Sequence, residues 1–557
     1  MGRRHQFFLI PVLAVFIVMA MISPCQATTD NVTDPLAPAM AEYLECYSLD
    51  LVSFKDQQLS SVPRNLCLLD IYQKNGRSSL WVSSRGPSKS AVEILETLKN
   101  SDTEGLSPTD YGVNEMMALW GSLAPDKLAQ LDTLITINLI KYVHDISRGQ
   151  IKLRDIDPLL FAEAGDADFD PLATVDKVLA AKNLSVFFAE LPPSHSHYTD
   201  LKKSLKIYHE LVQRGGWNQI PQGEFIRPGD RGDRVTAVVK RLDVTGDLMV
   251  SVTDDSLYVY SLMPSLKQFQ TRHGLNADGV VGPETLAAMN ISADEAVRKI
   301  MINMARWRWQ AHSLGEKYIL VNIASFNLSG FDHGEMKLNF PVIVGKQQNQ
   351  TPVFSDRVQY VTFNPFWNIP PSIAQDEELL GLRNDPLHLV KRHIRLFPSW
   401  KADAVEMDST TMDWATISKS QISLFKLRQD PGPWNALGDV KFIFPNKYEV
   451  YMHATSNPQL FQRKQRDFSH GCIRVSDPLG LAKFILSHGE ISWDRGEIEE
   501  IIQQGETKVV VAETPVPVHI TYQTTWVGGD GLVYFSSDLY DRDKKLGQAL
   551  FSGDVVN

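Results

Sequence analysis

Apolar residues in this chain keep two different periods, and the switch between them constrains the fold more than any other feature. Up to about residue 290 they recur every three or four positions, the period of a helix with one buried face. From about 317 they recur every second position, the period of a half-buried strand. A chain of 557 residues also exceeds what one hydrophobic core supports. The expectation is therefore a multidomain α+β protein: a mainly helical unit over 28–220, a small three-helix unit over 221–295, and a mostly-β domain over 296–557. A polar, helix-leaning insertion at about 371–430, with Trp400 and Trp414, interrupts the last of these.

In the first block, residues 28–40 are polar and contain proline, which reads as a mobile leader. The stretch 126–148 places Leu128, Leu131, Ile135, Leu139, Tyr142, Val143 and Ile146 on one helical face, with Asp126 near the start and Gly149 past the end. A second helix is expected over 198–214, through Leu201, Leu205, Tyr208 and Leu211, ended by Gly215 and Gly216. His195 and His197 follow Pro192 and Pro193 and read as a solvated loop rather than a metal pair.

The second block opens on Gly229-Asp230-Arg231-Gly232-Asp233. Its helices are marked by Val235, Val238, Val239 and Leu242, then by Leu266, Phe269 and Gln270, then by Thr285 and Leu286 after Pro283. Glycines at 274, 279 and 282 fall where short helices need turns. The run Phe269-Gln270, His273-Gly274-Leu275, Asp278-Gly279-Val280-Val281-Gly282, Thr285-Leu286 resembles the three-helix peptidoglycan-binding module of cell-wall enzymes. The Arg231-Gly232-Asp233 triplet has turn and helix-start roles that account for it.

In the third block, 318–328 and 335–344 read as a hairpin around Asp332-His333-Gly334, and 359–369 as another strand. Residues 441–444 and 448–453 flank Pro445-Asn446 as a second hairpin. A helix is expected from Asp477-Pro478 to about Leu486, then strands near 507–512, 516–525 and 532–536. An insertion beside such a sheet reads as a lid or as a passive surface elaboration.

Residues 1–27 have the form of an export signal: Arg3, Arg4 and His5, an apolar run over 7–22, then Cys25-Gln26-Ala27. A periplasmic location is the expectation, with an uncleaved inner-membrane anchor as the alternative. The formal net charge of −11 argues against nucleic acid as a partner. Of four cysteines, Cys25 belongs to the leader, Cys46 and Cys67 lie close together and are expected as a disulfide, and Cys472 stands alone.

Cys472 sits in Ser469-His470-Gly471-Cys472-Ile473-Arg474-Val475. A thiol is a weak nucleophile until deprotonated, and three residues could activate it: His453 at the end of the preceding hairpin, His470 and Arg474. In an extended segment His470, Cys472 and Arg474 would share a face. Gly471 removes the side chain beside the sulfur, so that the N–H groups of Gly471 and Cys472 can meet an oxyanion. These are the parts of acyl transfer through a thioester. Arg463, Lys464, Arg466 and Arg474 add local positive charge suited to a carboxylate-rich substrate. No metal or cofactor is called for.

His453 followed by Ser469-His470-Gly471-Cys472-Ile473-Arg474 resembles the active-site motif of YkuD-type L,D-transpeptidases. The stretch Pro431-Gly432-Pro433-Trp434-Asn435-Ala436-Leu437-Gly438 with Lys441-Phe442 and Tyr451-Met452-His453 is similar to the large YcbB-like branch, which joins a helical scaffold, a peptidoglycan-binding module and a catalytic domain with a capping insertion. Glu104-Gly105-Leu106 and Tyr111 are the clearest scaffold matches. The resemblance implies Cys472 as nucleophile, His453 as base and Gly471 at the oxyanion, with Tyr451, Ser469, His470 and Arg474 binding substrate. It implies peptidoglycan stem peptides and glycan strands as partners, with other cell-wall synthases as further candidates, and 3→3 crosslinking as the reaction. A hydrolase using water as acceptor, or a non-catalytic wall-binding scaffold, is the alternative. Ala454 departs from the pattern, since relatives often carry a polar residue there, so a backbone carbonyl is expected to orient His453.

Overall fold

The computed structural model describes residues 36–50, 68–151, 153–159 and 169–551. The expected export signal over 1–27, residues 28–35 of the expected mobile leader, and Cys67 with its pairing to Cys46 lie outside the described residues. No described helix is long and apolar enough to cross a membrane.

The chain has the expected mixed class: helices over the N-terminal region, a small three-helix unit, and a mostly-β C-terminal part. Pro125–Arg148 is the central helix of the first region and buries all seven residues of the expected face. At its end Gly149 (φ +88°) is pressed on Trp309, whose Nε1 would stand 1.9 Å from an added Cβ, so a side chain there would separate the two regions. Ser196–Gln213 is the second expected helix. Two expectations fail here. Residues 37–40 are not a mobile leader but the start of helix Ala37–Asp50, with Leu36, Met40 and Leu44 buried. His195 and His197 do not form a solvated loop. His195 caps the helix through the Tyr198 N–H, and both rings pack on Trp307 at 4.7 and 5.2 Å.

In the small unit, helices Asp233–Val244, Met263–Arg272 and Pro283–Met289 enclose Val235, Leu242, Leu266, Phe269 and Leu286. Gln270 is its polar hub, donating to Asp278 and the Val280 carbonyl and accepting from Gly279 N–H. Arg272 is fully buried, makes a two-pronged ion pair with Asp247 and donates to the Val533 carbonyl, tying the unit to the C-terminal hairpin.

Nine strands form the main sheet: β1 Lys317–Asn322, β2 Asn327–Asp332, β3 Glu335–Gly345, β4 Phe354–Phe363, β5 Val440–Ile443, β6 Met452–His453, β7 Asp467–Ser469, β8 Ile473–Val475 and β9 Lys508–Thr521. The order is β7-β3-β8-β6-β5-β4-β9-β1-β2, and a further β2–β3 pairing closes the sheet on itself, with β7 attached along β3 alone. The expected strand over 318–328 is two strands, because Phe326 (φ +53°) turns the chain between β1 and β2. The expected strand over 359–369 ends at Asn364 (φ +47°). Beyond it, Trp367–Asn368 joins Lys426–Gln429 and Ile394–Phe397 in a separate three-stranded sheet inside the insertion, which is therefore not merely helical. The expected strands at 507–512 and 516–525 are instead mostly one strand, β9, with an irregularity between Val511 and Val516. Helix Pro478–Leu486 is as expected, capped by Asp477. Helix Arg495–Gln503 was not expected, although its Asp494/Glu497 capping box was legible.

Candidate active site

β5, β6 and β8 lie side by side, and this adjacency builds the site. β6 runs parallel to β8 with His453 opposite Arg474, and antiparallel to β5 with His453 opposite Lys441. Cys472 precedes β8, so sulfur and imidazole come from neighbouring strands. His453 is buried. Burial, with the Arg474 and Lys441 cations adding to it, pushes its pKa down to about 3, so the ring is neutral at ordinary pH. The backbone at Ala454 and Leu437 opposes that shift. Its Nδ1 has no hydrogen-bond partner among the described residues. Gly438 packs against this segment: a Cβ on Gly438 would come within 2.7 Å of the Ala454 Cβ, so position 438 has no room for a side chain.

Cys472 is half-buried, and burial pushes its thiol above the ordinary range. Tyr451, through backbone and hydroxyl, and the Lys441 and Arg474 cations pull the other way. The Tyr451 ring sits 5.6 Å from the His453 ring, and burial pushes its hydroxyl well above the ordinary range while Trp367 opposes the shift.

Residues 470–472 are a turn between β7 and β8, not a continuous strand, since Gly471 has φ +114°. His470, Cys472 and Arg474 meet through that turn rather than by strand alternation. Ser469 is buried and organises it, accepting the Gly471 N–H at 3.1 Å and donating to the Cys472 carbonyl at 2.5 Å. The Gly471 N–H is therefore already used, which corrects the expectation that both amides meet an oxyanion. The Cys472 N–H makes no hydrogen bond among the described residues. His470 Nε2 pairs with Glu377 of the insertion at 2.9 Å, and Glu377 also faces Arg474. The insertion thus reaches the nucleophile turn. Of the expected basic cluster, Arg474 belongs to the site. Arg466 instead braces the carbonyls of Val342, Phe326 and Arg463, and Arg463 and Lys464 are exposed.

Lys441, Glu377 and Trp367 were not singled out as site residues from the sequence. Lys441 is half-buried, with Nζ 3.8 Å from the centre of the Tyr451 ring and its pKa lowered by burial. A lysine cross-strand from a candidate base was the available signal. Among the described residues no group of acidic, histidine or cysteine side chains could hold a metal ion.

Residues 316–518 match the family "L,D-transpeptidase catalytic domain" (YkuD), 231–289 match "Putative peptidoglycan binding domain", and 67–205 match "Scaffold domain". A protein of Haemophilus influenzae named "Putative L,D-transpeptidase" is 29% identical over 238 residues, covering 43% of this chain and 47% of that protein. The chain thus spans about half the length of the curated relative it matches. Among solved structures, an L,D-transpeptidase of Xylanimonas cellulosilytica is 15% identical, covering 54% of this chain and 98% of that one at a TM-score of 0.17. An L,D-transpeptidase from Mycobacterium smegmatis is 12% identical, covering 37% and 58% at 0.18. At such TM-scores the overlays carry no argument about this chain.

Proposed function

Since this chain carries a YkuD-type L,D-transpeptidase catalytic domain together with a peptidoglycan-binding domain, we propose that the whole protein is an L,D-transpeptidase forming 3→3 crosslinks in peptidoglycan. Cys472 is the nucleophile and His453 the base. The Cys472 thiol gives its proton to His453 Nδ1, and the sulfur attacks the carbonyl between meso-diaminopimelate and D-alanine in a tetrapeptide stem. The oxyanion meets the Cys472 N–H. The C–N bond breaks as His453 returns the proton to the departing D-alanine, leaving a thioester. The side-chain amine of a second stem then attacks that thioester, its proton passes to His453, and the thiol is regenerated. Tyr451, Ser469, His470 and Arg474 shape the site, with Arg474 and Lys441 attracting stem carboxylates. A periplasmic location is part of this proposal, since the stem peptides lie there and the export-signal pattern over 1–27 fits it.

The observation that carries this reading is a neutral, buried imidazole with an unpartnered Nδ1 on the strand next to a thiol flanked by two cations. The test feeds purified tetrapeptide muropeptides to the enzyme and to Cys472→Ala. Crosslinked dimers from the wild type alone support transfer. Tripeptide alone supports the hydrolytic alternative, and no change supports the scaffold. A carbapenem should add one drug mass at Cys472, and an unmodified protein after saturating exposure sinks the nucleophile assignment.

A further inference from the structure

The peptide unit joining Gly471 to Cys472 is planar and trans, so its carbonyl and its N–H point in opposite directions. Whatever holds the Gly471 carbonyl therefore aims the Cys472 N–H. The holder is Thr351, which is fully buried and donates Oγ1–H to that carbonyl at 2.8 Å. The hydroxyl has no freedom to turn elsewhere. Its oxygen accepts the Gly345 N–H at 2.9 Å, which leaves its single proton for Gly471.

Thr351 is held in turn. Its N–H donates to the Tyr540 hydroxyl at 3.3 Å, and that hydroxyl donates to the Gly345 carbonyl. Gly345 permits this tight loop, because a Cβ there would lie 2.0 Å from the Asn349 carbonyl oxygen. Tyr540 is 1% exposed and stacks on Tyr522, whose hydroxyl accepts the Tyr540 N–H and donates to Asp538. Two residues on, the buried Arg542 bonds Gln350 of the same loop and Asp157 of the N-terminal region. Tyr540 and Arg542 both lie past residue 518, where the catalytic-family match ends.

We propose that Thr351 is a positioning residue for acyl transfer: backed by Tyr540, it fixes the Gly471–Cys472 peptide so that the Cys472 N–H faces the oxyanion. The inference rests on Cys472 being the acylated nucleophile. A hydrogen bond at the carbonyl also polarises the peptide and strengthens the N–H as a donor. Hydrogen-bonded turns stiffen many proteins, so the test must separate oxyanion support from folding.

Two reactions at the same sulfur make that separation. Acylation by a carbapenem passes through a tetrahedral oxyanion, whereas alkylation by iodoacetamide is a displacement at carbon with no oxyanion. Thr351→Val keeps the shape and removes the hydroxyl. It should slow acylation about 10- to 100-fold, within the range for a lost or misaimed oxyanion donor, and leave alkylation of Cys472 within about twofold. Thr351→Ser should restore most of the acylation rate. Tyr540→Phe should slow acylation by about 3- to 10-fold with the same selectivity, and decides the matter if Thr351→Val does not fold. Equal slowing of both reactions, or no slowing of acylation, overturns the inference. Wild type that is alkylated but never acylated would instead overturn the proposed function.

Discussion

Replacing Lys441 by Met should slow the nucleophile about tenfold; the loss would be far larger if the thiolate stood in dry protein, but the site is half open. The Nζ lies 3.8 Å from the centre of the Tyr451 ring, and the Lys441 charge favours the Cys472 thiolate. Taking the ammonium and sulfur to be about 6 Å apart, an effective dielectric of about 20 gives an attraction of ~2.8 kcal/mol. Screening at a half-exposed lysine reduces this to about 1.4 kcal/mol, or roughly a tenfold loss of thiolate at pH 7. His453 stays neutral down to about pH 3, so no preformed thiolate–imidazolium pair supplies reactivity at low pH. The rate of iodoacetamide addition at Cys472, read by peptide mass spectrometry, should therefore rise about tenfold per pH unit from 6 to 8. In Lys441→Met the same line should be displaced downward about tenfold. A rate that is flat with pH below 6 would show a preformed ion pair and refute the reasoning. A Lys441→Met line superimposed on the wild type would remove Lys441 from the site.

Three further outcomes are expected. His195 and His453 have pKa values lowered to about 3, and His197 to about 4, all by burial. The unfolded chain therefore binds more protons than the folded one below about pH 6.5, and stability is full above that pH and lost as pH falls toward the folded values. At pH 5 each group costs about 2 kcal/mol, so urea midpoints should drop between pH 7.5 and 5, and His197→Gln should drop less. Arg272→Met strands a buried Asp247 and should destabilise the small module by about 3–5 kcal/mol, seen as an earlier-melting transition; an unchanged melt would show the pair is dispensable. Glu377→Gln cuts the tie between the insertion and His470, so hydrogen exchange over 374–384 should quicken, and unchanged protection would mean that packing alone holds the insertion down.

Period and punctuation made much of the architecture legible. The helix over 125–148, the three-helix module and the Asp477-capped helix follow from spacing, proline and glycine, because each is decided by residues close in sequence. What escaped was decided by single backbone conformations or distant contacts. Phe326 takes positive φ without being glycine, so nothing local warned that one strand was two, whereas Asn364-Pro365 was a turn signal left unread where the other strand stopped early. His195 and His197 looked solvated beside two prolines, until Trp307, more than a hundred positions away, covered them. In the site, Cys472, His453, Ser469 and Arg474 were readable because a thiol and an imidazole near one another are chemically conspicuous. Lys441 and Glu377 were not, since a strand lysine and an acidic helix residue are ordinary until the fold sets them against the thiol and its turn.

The misread amide at Gly471 shows why this limit is physical. A glycine beside a nucleophile promises two free N–H groups, but a buried serine two residues earlier is itself a polar group that must be satisfied. Ser469 takes the Gly471 N–H and gives its proton to the Cys472 carbonyl, so one amide is spent on holding the turn and the other is left for chemistry. With one donor in place of two, its direction matters more, and direction is set on the far side of the same peptide by Thr351. The nucleophile turn is therefore held by the end of β7, the loop after β3 and a C-terminal tyrosine, three segments that no local reading of the motif connects. A substitution in any of them should alter acylation while leaving every residue of the heptapeptide in place.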